Sequence, residues 1–286
     1  MNRRWFLAGL AALLVAGGVA EARMHAPYRG HHIVPAGGGA LDGFTTPSGA
    51  YSFRKLRTAY TGFAVKLQRV DTTTQDIGFV GNNFDTAAAA AFCTAACTIN
   101  TWYDQSGLGR HLVQAAAANQ PAYVSNCNGA LPCLRLTATG MRLDGASFTP
   151  STTISLNAVG KRTAGVAANN GLIVVGLAPA NRIVTAAGPT NLVTLAGISG
   201  AANRAAAEGA WHSVIGVIQG AGSTLNIDGG EQNSAITAQT GAGIISVSGI
   251  ATNTFDQTEA IFWDNYALTA SERTALNNNQ QNYWMP

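Results

Sequence analysis

Residues 212–231, HSVIGVIQGAGSTLNIDGGE, decide the fold. Two apolar, β-branched runs, 212–219 and 224–227, flank a stretch of small residues. The second run ends in Asp228-Gly229, a hairpin turn signal with glycine at the left-handed position. The same pattern extends in both directions, with further short runs rich in Val, Ile, Thr and aromatics at 63–69, 99–103, 122–124, 134–137, 153–161, 172–177, 191–198, 244–248 and 260–265, separated by Gly, Asn and Asp. Many short strands between turn signals mean a sandwich or a barrel, so the chain reads as all-β. No spacing repeats at a fixed period, which argues against a propeller or solenoid. Only two places look helical. At 85–92, Asp85 is an N-cap ahead of a run of alanines. At 269–282, Thr269 and Glu272 form a capping box, and Leu276, Tyr283 and Trp284 supply an apolar face for docking.

The beginning of the chain reads as an export signal. Arg3 and Arg4 precede an apolar stretch of about 15 residues, and Ala20-Glu21-Ala22 supplies an A-x-A cleavage site. That stretch is short of the roughly 20 residues that span a bilayer, and no second one follows. The protein is therefore expected to be secreted or periplasmic, with the paired arginines also fitting the twin-arginine route. The domain reading is a signal peptide at 1–22, a flexible N-terminal arm at 23–49, rich in Gly, Pro and His, and one β domain at 50–286. Cleavage removes two positive charges and one negative, taking the formal charge from +3 to +2. A nearly neutral domain with no run of Lys or Arg lacks the footprint for binding a phosphate backbone, so nucleic acid is not an expected partner.

The four cysteines, Cys93, Cys97, Cys127 and Cys133, fall as two close pairs in an exported chain, where disulfides are the expected outcome. Three connectivities are open, and local 93–97 and 127–133 bridges would each staple a turn. Zinc is the rival reading, but C-x-x-C spacing is absent. His25, His31 and His32 have no Cys or acidic neighbours at ligand spacing, and no D-x-D-x-D-G loop would hold calcium. No metal or cofactor is expected. Phosphate-binding glycine motifs and the G-x-S-x-G nucleophile elbow are missing as well. His111 and His212 each have a structural account as strand or turn residues.

One stretch carries the chemistry of sugar recognition: Trp102-Tyr103-Asp104-Gln105-Ser106-Gly107, leading into Leu108-Gly109-Arg110-His111-Leu112 and Gln114. A strand ending in two aromatics runs into amide, carboxylate and hydroxyl groups. Aromatic rings stack on the apolar faces of sugars while planar polar groups bond their hydroxyls. The same Asp, Ser and Gly residues also build turns, and Asp104 would serve there as a backbone acceptor.

This stretch resembles the YDQSG-containing segment of the α-L-arabinofuranosidase B catalytic domain family. Ala59-Tyr60-Thr61-Gly62, Val65, Arg69, Asp76-Ile77, Phe92-Cys93 and Cys97 precede it in that family's order, so the resemblance covers residues 51–120. Residues 259–284 are similar to the closing strand and helix of bacterial lectin-like relatives. The resemblance implies a concanavalin-like β-sandwich, or jelly roll, and release of terminal arabinofuranose from plant-type polysaccharides. The family's acid/base Asp falls near Asn253, in Gly249-Ile250-Ala251-Thr252-Asn253. Its nucleophilic Glu has no counterpart, because residues 151–207 contain neither Asp nor Glu.

A retaining glycosidase needs two carboxyl groups about 5–5.5 Å apart. Of the 14 Asp and Glu residues, all but Glu21 lie past the signal. Glu259, Glu208, Asp104 and Asp256 are the candidates for a displaced catalytic pair, while Trp102, Tyr103, Asp104, Gln105 and Asn253 are the candidate sugar contacts. Three functional readings follow: an arabinofuranosidase-like hydrolase, a non-catalytic lectin-like carbohydrate-binding or cell-surface module, and an envelope domain without a ligand.

Overall fold

A computed structural model describes residues 38–138, 140–164, 170–177, 180–185, 192–248 and 254–285. The expected signal peptide, the three N-terminal histidines and Asn253 lie outside the described residues. In chain order the strands are β1 (Gly49–Ser52), β2 (Val65–Arg69), β3 (Thr74–Ile77), β4 (Phe79–Val80), β5 (Asn83–Phe84), β6 (Cys97–Trp102), β7 (Leu112–Val113), β8 (Ala122–Asn128), β9 (Leu131–Leu136), β10 (Arg142–Phe148), β11 (Ile154–Ala164) and β12 (Asn170–Gly176). They continue as β13 (Asn181–Thr185), β14 (Leu192–Ala196), β15 (Ala201–Ala205), β16 (His212–Ile218), β17 (Gly220–Ile227), β18 (Gly230–Ile236), β19 (Gly243–Ser248) and β20 (Thr254–Asp264). Helix α1 (Thr86–Phe92) follows β5, and α2 (Ala270–Trp284) follows β20.

The strands form an all-β sandwich. In one layer β20 is central: β11 runs antiparallel along one side, while β9 and β1 share the other. Beyond β11 come β16, β17 and β18. The second layer runs from β3 through β2, β6, β7, β10, β19, β12, β13 and β14 to β15. Period-two alternation sets the faces. Val214 and Ile218 of β16 and Ala260 and Phe262 of β20 point into the main core with Leu67, Ile99, Trp102, Ile245 and Leu195 of the other layer. A methyl group on Gly216 would stand 2.3 Å from Leu195 Cδ1, so glycine is what lets β16 and β14 close on each other.

The intervening residues, Ile215, Val217, Ile261 and Trp263, form a second apolar cluster on the outer face. It is covered by α2 through Leu276 and by Ala40, Leu41 and Phe44. Within the expected arm, Ala40, Leu41 and Phe44 thus bury apolar side chains on the sheet. Helix α2 buries Arg273, Leu276, Asn277, Gln280 and Trp284, one stripe at helical spacing. It starts at the reciprocal capping box of Thr269 and Glu272 that the sequence announces. Both cysteine pairs are local, Cys93 with Cys97 and Cys127 with Cys133.

Candidate functional site

The YDQSG corner is the loop between β6 and β7, which pair as Trp102 with Leu112. Asp104 organises it from within. One carboxylate oxygen accepts from Ala50 N (2.9 Å) and Ser106 N (2.9 Å), and the other from Ser106 Oγ (2.7 Å) and Arg110 N (3.0 Å). Gly107 and Gly109 turn the loop at φ of 90° and 69°, where a Cβ would be strained. Gln105 stitches the corner to the chain leaving β1. Its Oε1 accepts from Leu56 N (2.8 Å), and its Nε2 donates to the carbonyls of Ser52 (2.9 Å) and Arg54 (3.0 Å). Both side chains are buried and their bonding capacity is spent on the protein. Trp102 is a core residue, packed against Tyr51 and Phe53 with no exposed ring face, so it has no surface to offer a sugar.

What the corner presents to solvent is different. An open cleft of about 430 Å³ is lined by Thr46, Arg57, Ala59, Tyr60, Thr61 and Gly62 on one side and by Gln105, Ser106 and Gly107 on the other. The Leu56–Gln105 hydrogen bond holds the two sides together. Tyr60 donates its hydroxyl to the Phe63 carbonyl (2.8 Å), and burial together with the Asp104 charge pushes its pKa to about 12. Beside the cleft Phe63 is 48% exposed and tilts against Tyr103 at 6.1 Å between centroids. Tyr103 donates to Asp76 Oδ1 (2.6 Å) and meets the His111 ring edge-on at 4.9 Å. Burial and the Asp76 bond hold its phenol protonated well into the alkaline range. Of the expected sugar contacts among the described residues, Gln105 lines the cleft but is buried, and Tyr103 is partly exposed beside it through Phe63; most of the lining comes from Thr46, Arg57 and residues 59–62. Those residues lie about fifty positions before the corner, and no local pattern joins the two in sequence.

Of the four candidate carboxylates, Asp104 lies behind the cleft wall, where it holds Ser106, and Glu259, Asp256 and Glu208 do not line the cleft. Glu259 is fully enclosed. It accepts from Ser52 Oγ (2.9 Å), Arg54 Nε (2.8 Å) and Nη2 (3.2 Å), Gln280 Nε2 (2.6 Å) and Trp284 Nε1 (3.1 Å). Burial pushes its pKa up, but the Arg54 charge and the bonds from Arg54, Gln280 and Trp284 outweigh that and hold it below its ordinary value. The result is a tie between β1, β20 and α2. Asp256, also enclosed, is held by Arg135 through two bonds (2.5 and 2.8 Å), with Lys161 Nζ at 3.6 Å. The Cys127 and Cys133 sulfurs come within 4.8 Å of its carboxylate, but they are bonded to each other and supply no thiolate for a metal. Glu208 pairs with Arg162 (3.3 Å) on a partly exposed edge. Among the described residues, no two of these four share a hydrogen-bond partner.

The remaining carboxylates are also engaged. Asp85 and Glu272 cap helices, and Asp42 and Asp71 bond the backbone and hydroxyls of Thr58 and Thr73. Asp264 accepts from Ser151, and Asp144 faces Arg142. Glu231 is gripped by Arg273 through two bonds (2.8 and 3.0 Å). Asp228 takes the Ser213 amide and His212 Nδ1 (2.6 Å), while His212 Nε2 faces the Ala207 carbonyl (2.9 Å). Burial lowers the His212 pKa, but the Asp228 bond, the Ala207 carbonyl and the Asp228 charge together raise it above its ordinary value. His212 and Arg162 also line a water-sized cavity of about 20 Å³ with Phe255 and Val214. None of the described helices is long and apolar enough to cross a membrane.

The family described as alpha-L-arabinofuranosidase B, catalytic, matches residues 42–175. A solved GH54 α-L-arabinofuranosidase soaked with a cyclic sulfate inhibitor superposes with a TM-score of 0.61 at 16% identity, over 82% of this chain and 62% of that one. An arabinofuranosidase complexed with arabinofuranosyl-α-1,2-xylobiose gives 0.55 at 16% identity, with the same coverage. At that identity the likeness is one of fold. The chain spans less than two thirds of either solved protein. No curated protein matches it.

Proposed function

We propose that this is an exported carbohydrate-binding domain, built on an arabinofuranosidase-like sandwich, that binds glycan at the cleft beside the YDQSG corner without hydrolysing it. The observation that carries this reading is that no Asp or Glu lines the cleft, while Glu259, Asp256 and Asp104 are withdrawn from solvent. Glycosidic cleavage needs an acid able to protonate the leaving oxygen and a second carboxyl group across the bond. A carboxylate enclosed in the protein cannot reach a glycosidic bond in the cleft.

Binding has better support. The cleft offers hydroxyls on Thr46 and Thr61, with Tyr60 lining it and exposed Phe63 and partly exposed Tyr103 beside it. Aromatic faces next to fixed polar groups are the usual composition of a sugar subsite. The family match over residues 42–175 favours the second reading, hydrolysis of terminal arabinofuranosyl groups. Incubation with nitrophenyl α-L-arabinofuranoside decides between the two, with a glycan array run on the same preparation. The expected result is no nitrophenol release above the uncatalysed rate together with saturable binding on the array. Turnover abolished by a single carboxylate substitution would overturn the proposal.

A further inference from the structure

We propose that the cleft selects acidic glycans and that Arg57 is the residue that reads the acid, taking the carboxylate of a uronic-acid residue. The inference rests on the carbohydrate-binding reading and names its substrate class.

Arg57 is the charged residue of the cleft lining, and no Asp or Glu joins it there. Arg57 is partly exposed, and among the described residues its Nη1 has no acceptor. Arg54 is committed to Glu259 and Arg110 to the Ser48 carbonyl (2.6 Å). The carboxylate that feels the charge of Arg57 is Asp42, but its oxygens are used by Gly39 N (2.7 Å), Thr58 N (3.0 Å) and the Thr58 hydroxyl, and the two form no ion pair. A guanidinium donor without an acceptor is costly to keep in a partly desolvated place. The planar fork of arginine matches a carboxylate through two parallel bonds. The flanking Thr46 and Thr61 hydroxyls suit the neighbouring sugar hydroxyls. A neutral arabinan or xylan would leave the fork without its best partner, whereas a uronate would complete it.

The test is calorimetric titration of the full chain with galacturonate- and glucuronate-containing oligosaccharides and with the same compounds after reduction of their carboxyl groups. The acidic forms are expected to bind at least about tenfold tighter at low salt, with the advantage shrinking in 0.5 M NaCl because the contact is partly exposed. Arg57→Gln should lose the advantage while still binding the reduced forms, and Arg57→Lys should keep part of it. Equal binding of acidic and reduced forms by the unaltered protein overturns the inference and leaves the carbohydrate-binding reading standing; so does a preference that survives in Arg57→Gln. Binding of neither form sinks both. The salt and reduction comparisons on the unaltered chain decide the matter even where a variant fails to fold.

Discussion

Replacing Glu259 with Gln should unfold this domain far more readily, and the size of the effect follows from its surroundings. The carboxylate sits at the junction of β1, β20 and α2 with no solvent exposure, accepting five bonds. Arg54 is itself only 4% exposed and lies over the Tyr283 ring at 4.7 Å. Removing the negative charge strands that guanidinium in the interior, and breaking a buried pair in this way costs about 3–5 kcal/mol. For a domain of this size that corresponds to a Tm drop of roughly 6–20 °C. Urea titration followed by tryptophan fluorescence reads it directly, since Trp102, Trp263 and Trp284 are all enclosed. Adding Arg54→Met to the same chain removes the stranded charge and should recover part of the loss. The pH dependence has a fixed sign. The folded-state pKa lies below the ordinary 4.5, so the carboxylate stabilises the fold above that pH and the contribution is lost as pH falls through the lower folded value. A loss under about 1 kcal/mol, less than a broken buried pair costs, or a double variant no better than the single one, would refute Glu259 as the structural tie.

His212 works in the opposite direction. Its raised pKa means that its stabilisation is complete below pH 6.5 and fades as pH climbs through the folded value, so His212→Asn should flatten the stability change between pH 6 and pH 9 in melting experiments. Replacing Cys127 and Cys133 by serine should lower stability by about 2 kcal/mol, because a loop of this length restrains the unfolded chain only modestly; chemical denaturation with and without the bridge measures it. Gln105→Ala orphans the Leu56 amide and the Ser52 and Arg54 carbonyls, for an expected loss of about 2–4 kcal/mol. Phe63→Ala, at a half-exposed position, should leave the melting temperature nearly unchanged while weakening glycan binding severalfold, and equal binding would place the sugar elsewhere.

The parts of the fold that local chemistry controls were legible in the sequence. Asp85 caps α1, the Thr269 and Glu272 pair caps α2, and Asp228-Gly229 turns the β17–β18 hairpin with both residues at positive φ. Strand β20 was legible only in its second half. The run read as a strand starts at residue 260 because Asp256, Gln257, Thr258 and Glu259 are polar, yet all four are buried, with the two carboxylates neutralised by cations from β9, β11 and the segment after β1. Polarity marks a loop only when no distant partner satisfies it. Strand β1, Gly-Ala-Tyr-Ser, was missed for a related reason: it is buried along its whole length and so shows no alternation. The candidate site suffered in the same way. The sequence drew attention to the corner through residues that turn out to build it, whereas Arg57, Tyr60 and Thr61 reach the cleft only because Gln105 ties their segment across the fold.

The central position of β20 has a consequence for how the molecule is made. Ser52 and Glu259 touch across 207 residues, so at about 5–20 residues per second the ribosome leaves β1 waiting roughly 10–40 s for the strand it must pair with. Until Trp284 has been synthesised, the strands on both sides of that gap expose bare edges to every other nascent chain in the cell. Protein yield should therefore respond more to whatever shields the growing polypeptide than to any interaction in the finished domain.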